Sequence, residues 1–222
     1  MKSILIGIIF FALSASVWSQ QLPGLAVDSL YAKVKNPNSA FFYDSLFARY
    51  SRGDRGLSDR DFHYLYYGFI FHDGYDPEGD RSNEESFFQQ IDNKNYASAY
   101  QTGIELLRQD PFHPEYLFAM QITVPGEKRA VWKWRYEQIV KTIYQLNNGN
   151  TPENAMIITD SRHATAMTQA LGLRIVNMSV NDGILAIDVV QPNEHNLATV
   201  YFNVILPQSF LEYFKELEKQ NK

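Results

Sequence analysis

Between Lys94 and Leu146 the chain carries three apolar periodicities of helical spacing, and a helix with one apolar face needs a neighbour to cover it. In the first, Tyr96, Ala99, Tyr100, Gly103 and Leu107 fall on one face, where the small residues leave room for a second helix to approach. Asp110 is a residue type that caps free N–H groups, and Pro111 suits a first helical position, so the spacing predicts that one helix stops and another starts there. The second run carries Tyr116, Leu117 and Met120 before Val124-Pro125-Gly126 ends it. The third, residues 127–146, has one stripe through Val131, Ile139, Ile143 and Leu146 and another through Trp132, Tyr136, Val140 and Tyr144. Two stripes predict a helix covered from two directions.

The spacing of aromatic, Ala, Gly and Leu residues down the first run, followed by Asp-Pro-x-x-Pro, resembles a tetratricopeptide unit. The pattern occurs once, whereas such arrays normally stack about three units to bury a core.

Upstream, Phe42, Leu46 and Tyr50 mark a core-facing helix after Ser39, and Ser58 with Asp61 resembles a capping box opening a second one. That second helix is crowded with rings from Phe62 to Phe71 and is expected to be buried on more than one face. Arg52-Gly53-Asp54 reads as a turn. The carboxylates Asp76, Glu78 and Asp80 could begin a calcium loop, but Arg81 stands where that loop needs Gly and Phe87 where it needs Glu. No metal site and no cofactor is expected.

After Gly149 the periodicity changes from helical to alternating. Strands are predicted over 155–159, 174–180, 184–190 and 198–205, with a short helix over 161–171 and a hairpin turn at Asn181-Asp182-Gly183. Pro207 opens a last amphipathic run with Phe210, Leu211, Phe214 and Leu217 on its apolar side. The expected fold class is α+β: a tetratricopeptide-like helical layer over 39–150, then a region over 151–222 holding a small antiparallel β-sheet and a C-terminal helix. Whether the two regions pack as one domain is left open.

The first residues fix the expected address. Met1-Lys2-Ser3 precedes an apolar run over 4–15, too short for a comfortable bilayer span, and Val17 and Ser19 are small enough for a signal peptidase. A signal peptide over 1–19 is expected, cleaved after Ser19, with a leader over 20–38 and a mature chain that is periplasmic or secreted and has no integral membrane segment. The chain contains no Cys, so neither a lipoprotein anchor nor disulfides are open to it. Removing 19 residues from 222 leaves 203, enough to bury a substantial core without such staples. The net charge of −5 and the absence of a basic cluster exclude nucleic acid as an expected partner.

Leu65-Tyr66-Tyr67-Gly68, Tyr75-Asp76-Pro77, Gly149-Asn150-x-x-Glu153-x-Ala155, Gly172-Leu173 and Val200-Tyr201-Phe202-Asn203-Val204 occur in this order. Together they resemble domain-of-unknown-function (DUF) family 4919 over roughly residues 40–206. The resemblance implies an exported protein of Gram-negative bacteria and carries no activity with it. The chain departs from the family pattern at Gly149-Asn150-Thr151, where an acidic second residue and a further Gly are expected.

No Gly-x-Ser-x-Gly, His-Glu-x-x-His, Ser-x-x-Lys or phosphate-binding Gly loop is present, so no catalytic residue is assigned. The five His are not at metal-ligand spacing, and His113 and His163 read as solvated loop residues. A binding or scaffolding module for a protein or peptide partner is the expected function, with a loop-assembled carboxylate hydrolase as the alternative and the oligomeric state undetermined. The expected contact corner is Tyr67, Gly68, His72 and Tyr75, because a Gly inside a crowded aromatic helix suggests close approach to the backbone.

Overall fold

A computed structural model describes residues 24–206, with Glu78 and Asp80 excepted. The expected signal peptide and the amphipathic run after Pro207 lie outside the described residues. The leader supplies the first helix, α1 (Val27–Lys35), whose Leu30 and Val34, four residues apart, are both buried. Helix α2 (Tyr43–Ser51) begins later than Ser39 suggested. The Ser39 hydroxyl accepts from the Phe41 N–H at 3.0 Å, closing a local turn, and the helix starts beyond it. The face formed by Tyr43, Leu46 and Tyr50 is buried as its spacing requires.

Helix α3 (Asp59–Gly68) opens on the predicted capping box. The Asp61 N–H donates to the Ser58 hydroxyl at 3.2 Å, and the Ser58 N–H donates to the Asp61 carboxylate at 2.8 Å. From Tyr64 to Gly68 every side of the helix is buried, and the chain runs on into a buried 3-10 turn, Phe69–Phe71.

Four further helices follow: α4 (Glu84–Asp92), α5 (Tyr96–Gln109), α6 (Pro114–Thr123) and α7 (Gly126–Leu146). Gly103 of α5 packs tightly against both α4 and α6, since a Cβ there would collide with Met120 and with Phe87. The start of α6 corrects the sequence reading. Pro114, not Pro111, takes the first helical position, and Asp110 caps no helix: its carboxylate accepts from His163 and from the Phe112 N–H.

The sheet has the order β1-β4-β3-β2, with β1 (Met156–Ile157), β2 (Ile175–Asn181), β3 (Ile184–Val189) and β4 (Thr199–Asn203). Strands β2, β3 and β4 form the expected antiparallel meander. Strand β1 instead lies parallel to β4, with Met156 opposite Phe202, making the sheet mixed. A helix, α8 (His163–Ala170), and the β2–β3 hairpin separate those two strands, enough chain for a parallel crossover. Asp182 at φ 48° and Gly183 at φ 74° give the hairpin two left-handed positions, as a two-residue turn of this type needs.

Leu185, Ile187, Val200 and Phe202 are buried with the helices in one continuous apolar core. Strand β2, at the sheet edge, leaves Val176, Met178 and Val180 exposed at 65%, 53% and 60%, with a register shift between Ile175 and Asn177. No described helix is long and apolar enough to cross a membrane.

Candidate functional site

Four residues distant in sequence meet in the seam between helices and sheet. Asp110 follows α5, His113 precedes α6, His163 is the first residue of α8, and Tyr66 comes from the aromatic helix α3. Asp110, His113 and His163 are only 3%, 1% and 1% exposed. The His163 Nε2–H donates to Asp110 Oδ2 at 2.9 Å, and the Tyr66 hydroxyl donates to His163 Nδ1 at 2.8 Å. The Thr159 N–H donates to the Tyr66 oxygen at 3.3 Å, and the Phe112 N–H to Asp110 Oδ1 at 3.3 Å. A proton on Nε2, with Nδ1 left as an acceptor, is the arrangement in which each donor of this chain meets an acceptor.

The charges follow from burial and partners. Burial opposes ionisation of Asp110, yet the neighbouring His163 holds its carboxyl below the ordinary carboxylate range. Burial pushes His113 down to about 3 against the opposing pull of Asp110, so its ring is neutral. That ring stacks on Tyr116 with centroids 3.9 Å apart and stands perpendicular to His163 at 5.1 Å, and neither of its nitrogens has a hydrogen-bond partner. Beside it, Asp160 is paired with Arg162. Burial opposes its ionisation as well, and the guanidinium holds it below the usual range.

Two more phenols fix the seam. The Tyr67 hydroxyl donates to the Ile157 carbonyl at 3.2 Å and the Tyr75 hydroxyl to the Thr159 carbonyl at 2.6 Å. Asp76, Asp110 and Asp160 line a cleft beneath Tyr75, but it is too narrow to admit anything the size of a water molecule. Chemically, the seam offers an oriented imidazole and converging carboxylates without an accessible nucleophile. It also offers donor atoms of Asp110, His113 and His163 within 4.8 Å of one another, a group of metal-ligand type among the described residues.

The model of a family described as Domain of unknown function (DUF4919) matches residues 28–210. The chain belongs to the DUF4919 family. No curated protein and no solved structure matches it.

In this DUF4919 chain the four residues of the expected corner separate. Gly68 and His72 share the wall of an open groove of about 220 Å³, whose other lining includes Val34, Phe42, Tyr43 and Asp73. Tyr67 is fully buried against β1, and the half-buried Tyr75 lies over the narrow cleft instead. Gly68 has a packing reason, since a Cβ there would come within 2.8 Å of Val34 Cγ1 on α1. Gly68→Ala is therefore expected to overpack that crossing by about 1–3 kcal/mol, offset by about 1 kcal/mol of helix propensity. A melting temperature a few degrees lower is the expected readout, and an unchanged one would show that Val34 gives way freely.

The sequence reading of His113 and His163 as solvated is corrected: both are buried. No local signal pairs them, because the contact depends on α8 returning beneath the α5–α6 junction. The one available hint was Asp110, a strong capping type with a second Pro downstream to take over the helix start.

Proposed function

We propose that the protein is an exported binding or scaffolding module that engages a protein or peptide partner in the periplasm, through the groove between α1, α2 and the end of α3. The observation that carries this reading is the contrast between the two concavities. The cleft holding the carboxylates has no room for a water molecule, while the groove beside Gly68 and His72 has about 220 Å³. Its walls are apolar at Val34, Phe42 and Phe71. Lys35, Asp44 and Asp73 supply a charged edge.

Capture from periplasmic extract on immobilised protein tests this. Lys35 and Asp73 form an exposed ion pair at 3.8 Å, and such pairs contribute little to stability. Reversing both, Lys35→Glu with Asp73→Lys, keeps the pair and inverts the edge. Capture is expected to fall several-fold at unchanged melting temperature, and equal capture by wild type and variant would remove the groove from consideration. The hydrolase reading has one observation in its favour, the convergence of Asp76, Asp110 and Asp160. It requires the cleft to open, and two of the three carboxylates are already committed to His163 and Arg162.

A further inference from the structure

We propose that Asp110, His113 and His163 form a binding site for one divalent transition-metal ion of the zinc class. Two nitrogens and one carboxylate oxygen make a donor set suited to zinc or cobalt, whereas magnesium and calcium take all-oxygen sites. Donor atoms at about 2.0–2.1 Å from a tetrahedral ion lie roughly 3.3 Å from one another. His163 Nε2 and Asp110 Oδ2, at 2.9 Å, are already near that separation, and all three donors are within 4.8 Å. An inward shift of one ring would complete the set.

The atoms that would not touch the ion are already held. Asp110 Oδ1 accepts the Phe112 N–H, and His163 Nδ1 faces the Tyr66 hydroxyl at 2.8 Å. Outer partners of this kind fix the tautomer and aim of metal ligands. The proton balance closes without loss. As the ion takes Nε2, the imidazole proton resides on Nδ1 and is donated to the Tyr66 oxygen, and the phenol hydrogen turns away from the ring. That oxygen has two lone pairs, one for Thr159 and one for His163.

The independent observation is His113. Its ring is 1% exposed, with both nitrogens lacking a hydrogen-bond partner. An unmet buried nitrogen costs about 1–3 kcal/mol, and a coordinate bond to an ion would use it together with Asp110 and His163. Three protein ligands leave a fourth position for water, as in zinc sites that do chemistry rather than only hold a fold.

Because the site is closed to solvent, the test begins with the mature chain refolded with Zn²⁺ or Co²⁺ and then passed through gel filtration. One ion per chain is expected, together with a Co²⁺ visible spectrum of tetrahedral intensity and a melting temperature several degrees above that of chelator-treated protein. His113→Leu removes a ligand without breaking a hydrogen bond and is expected to lose the ion and the metal-dependent gain in melting temperature. Folded wild type holding under a tenth of an equivalent, with no visible Co²⁺ band, overturns the site. So does an ion retained equally by His113→Leu, which would place it on surface histidines. If His113→Leu does not fold, the wild-type stoichiometry and Co²⁺ spectrum decide alone. Partner capture by the distant groove does not enter any of these readouts.

Discussion

Asp110→Ala is expected to destabilise the chelator-treated protein by about 3–5 kcal/mol, since two buried donors lose their acceptor at about 1–3 kcal/mol each. The carboxylate is 3% exposed and answers two donors, His163 Nε2–H at 2.9 Å and the Phe112 N–H at 3.3 Å. Both lose their acceptor in the alanine variant, in a space too enclosed for solvent to replace it. Since single domains hold only about 5–15 kcal/mol, urea denaturation should show a large share of the stability gone. Asp110→Asn keeps a carbonyl for His163 and is expected to cost less, about 1–3 kcal/mol. Equal losses in the two variants would mean that volume, not the hydrogen-bonded chain from Thr159 to Asp110, accounts for the effect.

The second large effect is expected two residues on. Phe112 is fully buried and packs edge-on to Phe69 at 5.5 Å and Phe47 at 6.3 Å, tilted against Tyr50 at 5.3 Å and edge-on to Tyr66 at 6.3 Å. Its neighbours come from α2, α3 and the turn after it, so the ring joins three elements. Phe112→Ala is expected to cost about 3–5 kcal/mol through lost transfer energy and the cavity left behind. For a chain of this length that is roughly 10 °C in melting temperature. Phe112→Leu retains most of the volume and should cost clearly less. A loss under about 1 kcal/mol in Phe112→Ala would show that the surrounding rings collapse into the space.

The helices were legible because their signals are local. The Ser58–Asp61 box, the two stripes of residues 127–146 and the small residue at Gly103 each act within a few turns, and α3, α7 and the α4–α5–α6 contact follow from them. The hairpin at Asp182-Gly183 was legible for the same reason, since only a left-handed pair of residues makes that turn. What local signals cannot carry is which distant groups satisfy one another. The parallel pairing of β1 with β4 and the meeting of Tyr66, Asp110 and His163 are fixed by tertiary packing alone. Asp110 shows how such a contact overrides a local preference: it has the chemistry of a helix cap, and the chain uses it instead as a buried acceptor, passing the helix start to Pro114. Gly68 was read correctly as a point of close approach, and it is Val34 of the leader that approaches.

The edge strand β2 has a further consequence, for solubility. Ile175-Val-Asn-Met-Ser-Val-Asn181 contains no charge and no Pro, alternates apolar with small polar residues, and keeps three apolar side chains in water. Short stretches of this composition stack readily into cross-β aggregates once they are free to align with copies of themselves. In the folded chain one edge is occupied by β3, and the irregularity between Ile175 and Asn177 breaks the flatness that such stacking needs. The same interruption that looks like a flaw in the ladder thus guards an exposed, uncharged stretch of this protein against self-templating.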